Sequence, residues 1–247
     1  MIKKLIISAG GENKRMKNFL LQQFNGIPKH LLLIPGKRTI IEEIVKRAEN
    51  YFQKIIISAN EKNKKFFQRI FRNNKKIHVV VDKFLTGPLG PICRELLKTK
   101  KRTYGCAGDF YCEFDWREFE KFHSDHGKPV SILVAPSVSV PDGAYFEIEK
   151  ETNKIISWER RERTKEFDII NMGAYIIDPT PEVLSIISKI KYHKEDIFFD
   201  LFISKGLIQA YNPNKIGFNI NVPTTYKKMC SFLKGKLCLD QRKIKKE

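Results

Sequence analysis

Cysteine is scarce in this chain: Cys93, Cys106, Cys112, Cys230 and Cys238 are odd in number, scattered, and form no C-x-x-C pair. That pattern gives neither a disulfide framework nor a zinc site. No apolar run approaches the roughly 20 residues of a membrane span, and the first residues lack an apolar stretch followed by a small-residue cleavage site. The expectation is a cytoplasmic protein. Two familiar phosphate signatures are missing too: there is no G-x-x-x-x-G-K-[ST], and no G-x-G-x-x-G follows the first strand. No Ser-His-Asp or Cys-His spacing points to a nucleophile. Acidic residues are outnumbered, 28 against 46 Lys and Arg, for a net charge of +18. The surplus falls in scattered blocks, such as Lys62, Lys64 and Lys65, Lys98 to Arg102, and Arg242 to Lys246, with no interleaved aromatic stripe. This weighs against a specific nucleic-acid partner and reads as a general attraction for polyanions.

The 247 residues, 42% hydrophobic, are enough for one large α/β domain. Strand and helix patterns alternate from the start. Apolar runs at 2–9, 55–58, 78–81 and 104–107 read as buried strands. Between them, helices are expected from Thr39 (a capping box with Glu42), over Glu61 to Arg72, and over Pro91 to Leu97. Helical crossovers require parallel pairing, and such sheets bind ligands at the carboxyl ends of their strands. From Pro129 the pattern changes to short strands at 130–135, 145–149 and 154–158 and a longer one at 169–177. Helices follow at 181–188 and 197–204, then a strand at 207–211. His123 and His126, with Asp125 between them, sit at helical spacing beside Glu118 and Lys121. They read as a solvated helix face and not as a metal cluster.

The first strand runs into Gly10-Gly11-Glu12-Asn13-Lys14-Arg15-Met16, and Pro28-Lys29-His30 follows. Glycines let backbone N–H groups approach phosphate oxygens, and Arg15 and Lys29 supply fixed positive charge. Both lie off the apolar periodicity, so they are expected to serve chemistry and not the fold. Paired glycines alone serve equally as a tight turn. Gly87-Pro88-Leu89-Gly90-Pro91 is likewise a strand-to-helix turn or a backbone surface for a base. Asp109, after Cys106-Ala107-Gly108, is a hard oxygen ligand at a strand end or a turn cap.

In order along the chain these segments resemble the nucleotidyltransferases that activate sugar phosphates, with G-G-x-G-x-R-[LM] and then P-K, and the related molybdopterin guanylyltransferases, with G-G-x-x-x-R-M and G-P-L-x-G. Ile170-Asn171-Met172-Gly173-Ala174-Tyr175 is similar to their I-N-x-G-x-Y strand, and Asn219-Ile220-Asn221-Val222-Pro223-Thr224 to their closing N-x-N-T-P segment. The resemblance covers about residues 2 to 230. It implies a three-layer, Rossmann-like α/β/α fold of GT-A-like type with a mostly parallel, mixed sheet. It also implies one domain over residues 1–236 (a nucleotide half to about 128, an acceptor half from 129), with a basic tail at 237–247. The implied reaction moves a nucleotidyl group from a nucleoside triphosphate to a phosphorylated acceptor, with a sugar 1-phosphate favoured, and releases pyrophosphate. Arg15 and Lys29 would be catalytic. Ala9, Gly10, Gly11, Asn13, Lys14, Gly87, Pro88 and Leu89 would hold the nucleotide. Asn171, Gly173 and Glu159 would face the acceptor, the last as part of the pair Glu159-Arg160, with Glu162-Arg163 an alternative register. Asp109 and Asn221, the latter favoured over Asn219, would hold Mg²⁺. A guanylyl- or cytidylyltransferase for a non-sugar phosphate and a non-catalytic nucleotide-sensing subunit are the alternatives, and a homo-oligomer stays open. Asn13 and Lys14 depart from the sugar pattern at the second glycine and the small residue after it. Asn tolerates left-handed backbone, so the loop can keep its shape.

Overall fold

A computed structural model describes residues 3–36, 38–84, 87–138, 143–161, 167–190 and 194–244. Its first half alternates as expected. Strand β1 (Lys4–Ala9) is followed by helix α1 (Lys17–Phe24), the short strands β2 (Leu33–Ile34) and β3 (Arg38–Thr39), and α2 (Ile40–Ala48). Then come β4 (Lys54–Ala59), α3 (Glu61–Ile70), β5 (Ile77–Val81), α4 (Leu89–Thr99), β6 (Thr103–Ala107), β7 (Phe110–Tyr111) and α5 (Trp116–Asp125). The second half holds β8 (Val130–Val138), β9 (Gly143–Ile148), β10 (Ile155–Arg161) and β11 (Phe167–Ile177). It closes with α6 (Pro181–Lys189), α7 (Glu195–Ser204), β12 (Ile208–Tyr211), β13 (Phe218–Asn219) and α8 (Pro223–Ile244). Helix α8 thus continues through the start of the stretch read as a tail.

Nine strands form one sheet along the path β10-β9-β11-β6-β1-β4-β5, with β8 paired to β11 and β12 to β8. β1 pairs in parallel with β4 (Ile6 to Ile56) and β6 (Ile6 to Gly105), and β4 with β5. β11 runs against β6, β8 and β9, and β10 against β9. Seven strands therefore point one way, and β10 and β11 oppose them. The fold is the mixed, mostly parallel α/β type expected from the sequence.

Alternation along β1 builds the three layers. Leu5, Ile7 and Ala9 face a core completed by Ile41 and Ile44 of α2 and by Trp116 and Phe119 of α5. Ile6 faces the other way, into a core with Ile92 and Leu96 of α4, Val183 of α6 and Phe199 of α7. The expected capping box starts α2: the Glu42 N–H donates to Thr39 Oγ1 (3.3 Å) and the Thr39 N–H to Glu42 Oε2 (2.9 Å).

Histidine 123 corrects its reading as part of a solvated face. Helical spacing places it on the inner side of α5 with Trp116 and Phe119, and it is buried. Its Nδ1 lies 2.7 Å from Ser131 Oγ and its Nε2 3.2 Å from Asp178 Oδ2. Arg102 donates twice to the same carboxylate, at 2.6 and 2.9 Å. Among the described residues, no helix is long and apolar enough to cross a membrane.

Candidate active site

A cleft of about 550 Å³ opens at the carboxyl ends of β1 and β6. After Ala9 the chain passes through Gly10, Gly11 and Glu12 to Asn13, which sits at φ 58°, ψ 28° and starts a 3₁₀ turn over Lys14–Met16. The left-handed conformation that Asn was expected to tolerate is thus adopted. Met16 is buried and pins the turn, while Lys14 and Arg15 are exposed and line the cleft. Asn60 ties the loop to β4: its side-chain amide donates to the Gly10 carbonyl at 3.0 Å, and its oxygen caps α3. Across the cleft, Ser8 Oγ donates to the Pro88 carbonyl at 2.6 Å and holds the Gly87-Pro88 turn against β1. Ala9 and Leu89 are fully buried behind these loops and do not line the cleft.

Lys29 and Asp109 meet at the centre. Lys29 is buried, and its ammonium is ion-paired with Asp109 Oδ2 and donates to Asn221 Oδ1 at 3.1 Å. Two residues remote in sequence therefore direct oxygens at one cation. A two-residue ladder makes this possible: β13 pairs with β7, Asn219 opposite Phe110, and the Ile220 N–H donates to the Asp109 carbonyl at 2.8 Å. Burial alone would raise the Asp109 carboxyl, but the Lys29 ammonium, the His30 ring and hydrogen bonding together hold the group below the usual carboxylate range. The expectation that Lys29 is irrelevant to the fold is corrected, because removing it would leave Asp109 as a largely buried, unpaired charge. Asn219 Oδ1, buried and lining the same cleft, accepts no hydrogen bond from the described residues. A carboxylate and two amide oxygens are hard donors that suit Mg²⁺ with phosphate oxygens completing its shell. Among the described residues no three His, Cys, Asp or Glu side chains cluster as a self-sufficient metal site.

The far wall comes from β11. Asn171 is buried, and its amide donates to Tyr175 Oη (2.7 Å) and Glu195 Oε1 (3.0 Å), while its oxygen accepts the Gly173 N–H (2.8 Å). Tyr175 also donates to Glu195 Oε1 at 2.6 Å, and Arg160 pairs with Glu195 and Asp196. Burial pushes the Glu195 carboxyl up, with Tyr175 and Arg160 pulling the other way. Gly173 sits at φ 76° in an irregular stretch of β11, where an added Cβ would come 2.9 Å from Ala107 Cβ. Only glycine lets β11 press this closely on the end of β6. Arg160 lines the cleft and the exposed Glu159 does not, since neighbouring strand residues face opposite ways. The alternative pair Glu162-Arg163 lies outside the described residues. Sequence reasoning missed Glu195, His30 and Asp82, all of which line the cleft, while Arg160 was expected there as the partner of Glu159. Tyr175 and Asn171, four apart on one strand face, were the available signal for a polar site there.

This is a nucleotidyltransferase fold, with its cleft at the strand ends where such sheets take ligands. The chain is similar to sugar-phosphate nucleotidyltransferases. No protein-family model matches it. Mannose-1-phosphate guanyltransferase beta-B of Xenopus laevis is 21% identical over 240 residues, which cover 94% of this chain and 65% of that protein. Mannose-1-phosphate guanyltransferase 2 of Candida glabrata is 25% identical over 232 residues, 90% of this chain and 62% of that one. The chain thus spans less than two thirds of the length of these curated relatives. Among solved structures, a Bacillus anthracis protein described as a glucose-1-phosphate thymidylyltransferase superposes with a TM-score of 0.73 at 19% identity, covering 93% of this chain and 94% of its own. HddC from Yersinia pseudotuberculosis, complexed with GMP-PN, gives 0.67 at 24% identity, covering 94% of this chain and 100% of its own.

Proposed function

We propose that this protein transfers a nucleotidyl group from a nucleoside triphosphate to a sugar 1-phosphate, releasing pyrophosphate and forming a nucleoside diphosphate sugar. The observation that carries the reading is the placement of Lys29. Its ammonium lies between Asp109 and Asn221, in one cleft with the glycine loop on one side and the Asn171–Tyr175–Glu195 network on the other.

An oxygen of the acceptor phosphate attacks the α-phosphorus in line. The new P–O bond forms as the bond to the β-phosphate breaks, and pyrophosphate leaves with that electron pair. The attacking oxygen is already ionised at neutral pH, so no general base is needed, and catalysis rests on positioning and charge neutralisation. The glycine loop receives the triphosphate, and Arg15 holds its leaving β- and γ-phosphates. Lys29 bridges the α-phosphate and the acceptor phosphate. Asn171 orients acceptor hydroxyls, its own geometry fixed by Tyr175, Glu195 and Gly173. Asp109 and Asn221 are the residues that would hold Mg²⁺, which when bound supplies further positive charge at the phosphates.

The base is guanine in this reading. Asp82 lines the cleft, with its carboxylate held by Arg94 (2.7 Å) and by the Phe84 N–H (3.0 Å). Guanine presents N1–H and its 2-amino group side by side, and a carboxylate can accept both. The guanylyl relatives support the same choice. Pyrophosphate release from four triphosphates, each paired with several sugar 1-phosphates and non-sugar phosphates, tests the proposal. GTP with a hexose 1-phosphate should be best. Release only with a non-sugar phosphate would move the acceptor class, and nucleotide binding without release from any pair would make the protein a nucleotide sensor.

A further inference from the structure

We infer that Lys29 is the stand-in for the divalent cation: in the nucleotide-free protein its ammonium closes the site formed by Asp109 and Asn221, and an arriving triphosphate draws it away. The inference rests on the reading above, that this cleft takes a metal–nucleotide complex. Lys29 uses Asp109 Oδ2 and Asn221 Oδ1, the same two oxygens that would ligate the metal. Ammonium and divalent cation cannot share that position. The pair is largely buried, with side chains 11% and 17% exposed, so Asp109 cannot exchange its partner for bulk water. Neither substrate component releases the latch alone. A cation arriving alone would expel Lys29 into a cleft whose other carboxylates, Glu12, Asp82 and Glu195, already hold Lys14, Arg94 and Arg160. A triphosphate arriving alone would take Lys29 and leave Asp109 unpaired. Together they satisfy both ends, and the four-carbon stem of Lys29 gives it the reach to change partners. Asn219 Oδ1, which accepts no hydrogen bond from the described residues, is a third oxygen for the incoming ion. The consequence is positive coupling: nucleotide raises cation affinity by the factor by which cation raises nucleotide affinity.

The test follows Mn²⁺ uptake by the nucleotide-free full chain, read from the electron paramagnetic resonance signal of free Mn²⁺. Lys29→Met should bind Mn²⁺ at least about tenfold more tightly than wild type, and adding Asp109→Asn to that variant should abolish the gain. Lys29→Gln serves if the methionine variant does not fold. Equal or weaker Mn²⁺ binding by the Lys29 variants overturns the stand-in role, provided wild type takes up Mn²⁺ with a non-hydrolysable GTP analogue. If wild type binds the analogue and Mn²⁺ no better together than separately, the coupling is absent and the inference falls. If wild type binds neither under any condition, the metal–nucleotide reading itself falls and takes the inference with it.

Discussion

Acidification should weaken this protein through His30, and by an amount that one substitution isolates. The ring is 2% exposed and meets Phe67 edge-on at 5.8 Å, and its Nδ1 has no hydrogen-bond partner among the described residues. Burial pushes its pKa down from 6.5 to about 4; the charge of Asp109 opposes the shift and that of Lys29 adds to it. With the folded pKa below the unfolded one, the unfolded chain takes up the proton first as the pH drops. The stability tied to neutral His30 is therefore fully present above about pH 6.5 and is lost as the pH falls toward 4. That interval corresponds to roughly 3 kcal/mol. His30→Gln keeps a polar side chain and removes the titration. Urea unfolding at a series of pH values from 7.5 to 4 gives the free energy of each protein. Relative to wild type, the variant should gain about 3 kcal/mol across that range, on top of whatever constant offset the substitution brings. His126, also pushed down to about 4 by burial, titrates in both proteins and cancels in the difference. Parallel stability curves would refute the argument, and so would a His30 ring resonance titrating near 6.5 in the folded protein.

The two cations proposed to act on the phosphates, Arg15 and Lys29, should separate in their effects. Arg15→Ala, at an exposed position, should lower turnover by roughly 10²–10³-fold and leave the melting temperature in place. Lys29→Ala should lower turnover and also cost roughly 3–5 kcal/mol of stability in urea unfolding, by stranding Asp109. Asp82→Asn should erode the proposed preference for GTP over ATP by about tenfold or more in kcat/KM, because an amide cannot accept two donors as a carboxylate does. Gly105→Ala should cost about 1–3 kcal/mol, because the new Cβ would collide with the Ile92 side chain where α4 crosses β6. Ile92→Ala in the same chain should recover part of that loss, and a neutral single variant would disprove the packing.

The buried parallel strands were legible because a strand covered on both faces must be apolar at nearly every position, as Leu5 to Ile7 and Ile55 to Ile57 are. The capping box at Thr39 is local chemistry and was readable for that reason. Helix α1 was not, because Leu20 is its only fully buried residue among eight and no strong apolar stripe marks it. The ladder that joins Asp109 to Asn219 and Asn221 is two residues long on each side and leaves no periodic signal. Only the resemblance pointed to those residues as partners. Glu195 was invisible for a different reason. As the first residue of α7 it has the pattern of an ordinary acid in a helix's first turn, and its real partners are 20 to 35 positions away.

Why one cleft is walled from two directions follows from the reversal between β6 and β11. β1 and β6 run in parallel, so both deliver their carboxyl ends, Gly10 and Gly108-Asp109, to the same side. A parallel strand next to β6 would have added only its last residues there. β11 instead runs against β6, with Ala174 opposite Cys106. Residues that precede Ala174, from Asn171 to Gly173, therefore extend past the end of β6 and reach the cleft from the opposite direction. Tyr175, deeper in the sheet, anchors Asn171 and Glu195 from beneath. The glycine loop belongs to the parallel part and the Asn171 wall to the antiparallel strand, with Asp109 at the seam and Lys29 upon it. The proposed in-line transfer would need two phosphates brought together across a shared positive charge, and the seam is where this fold can supply one.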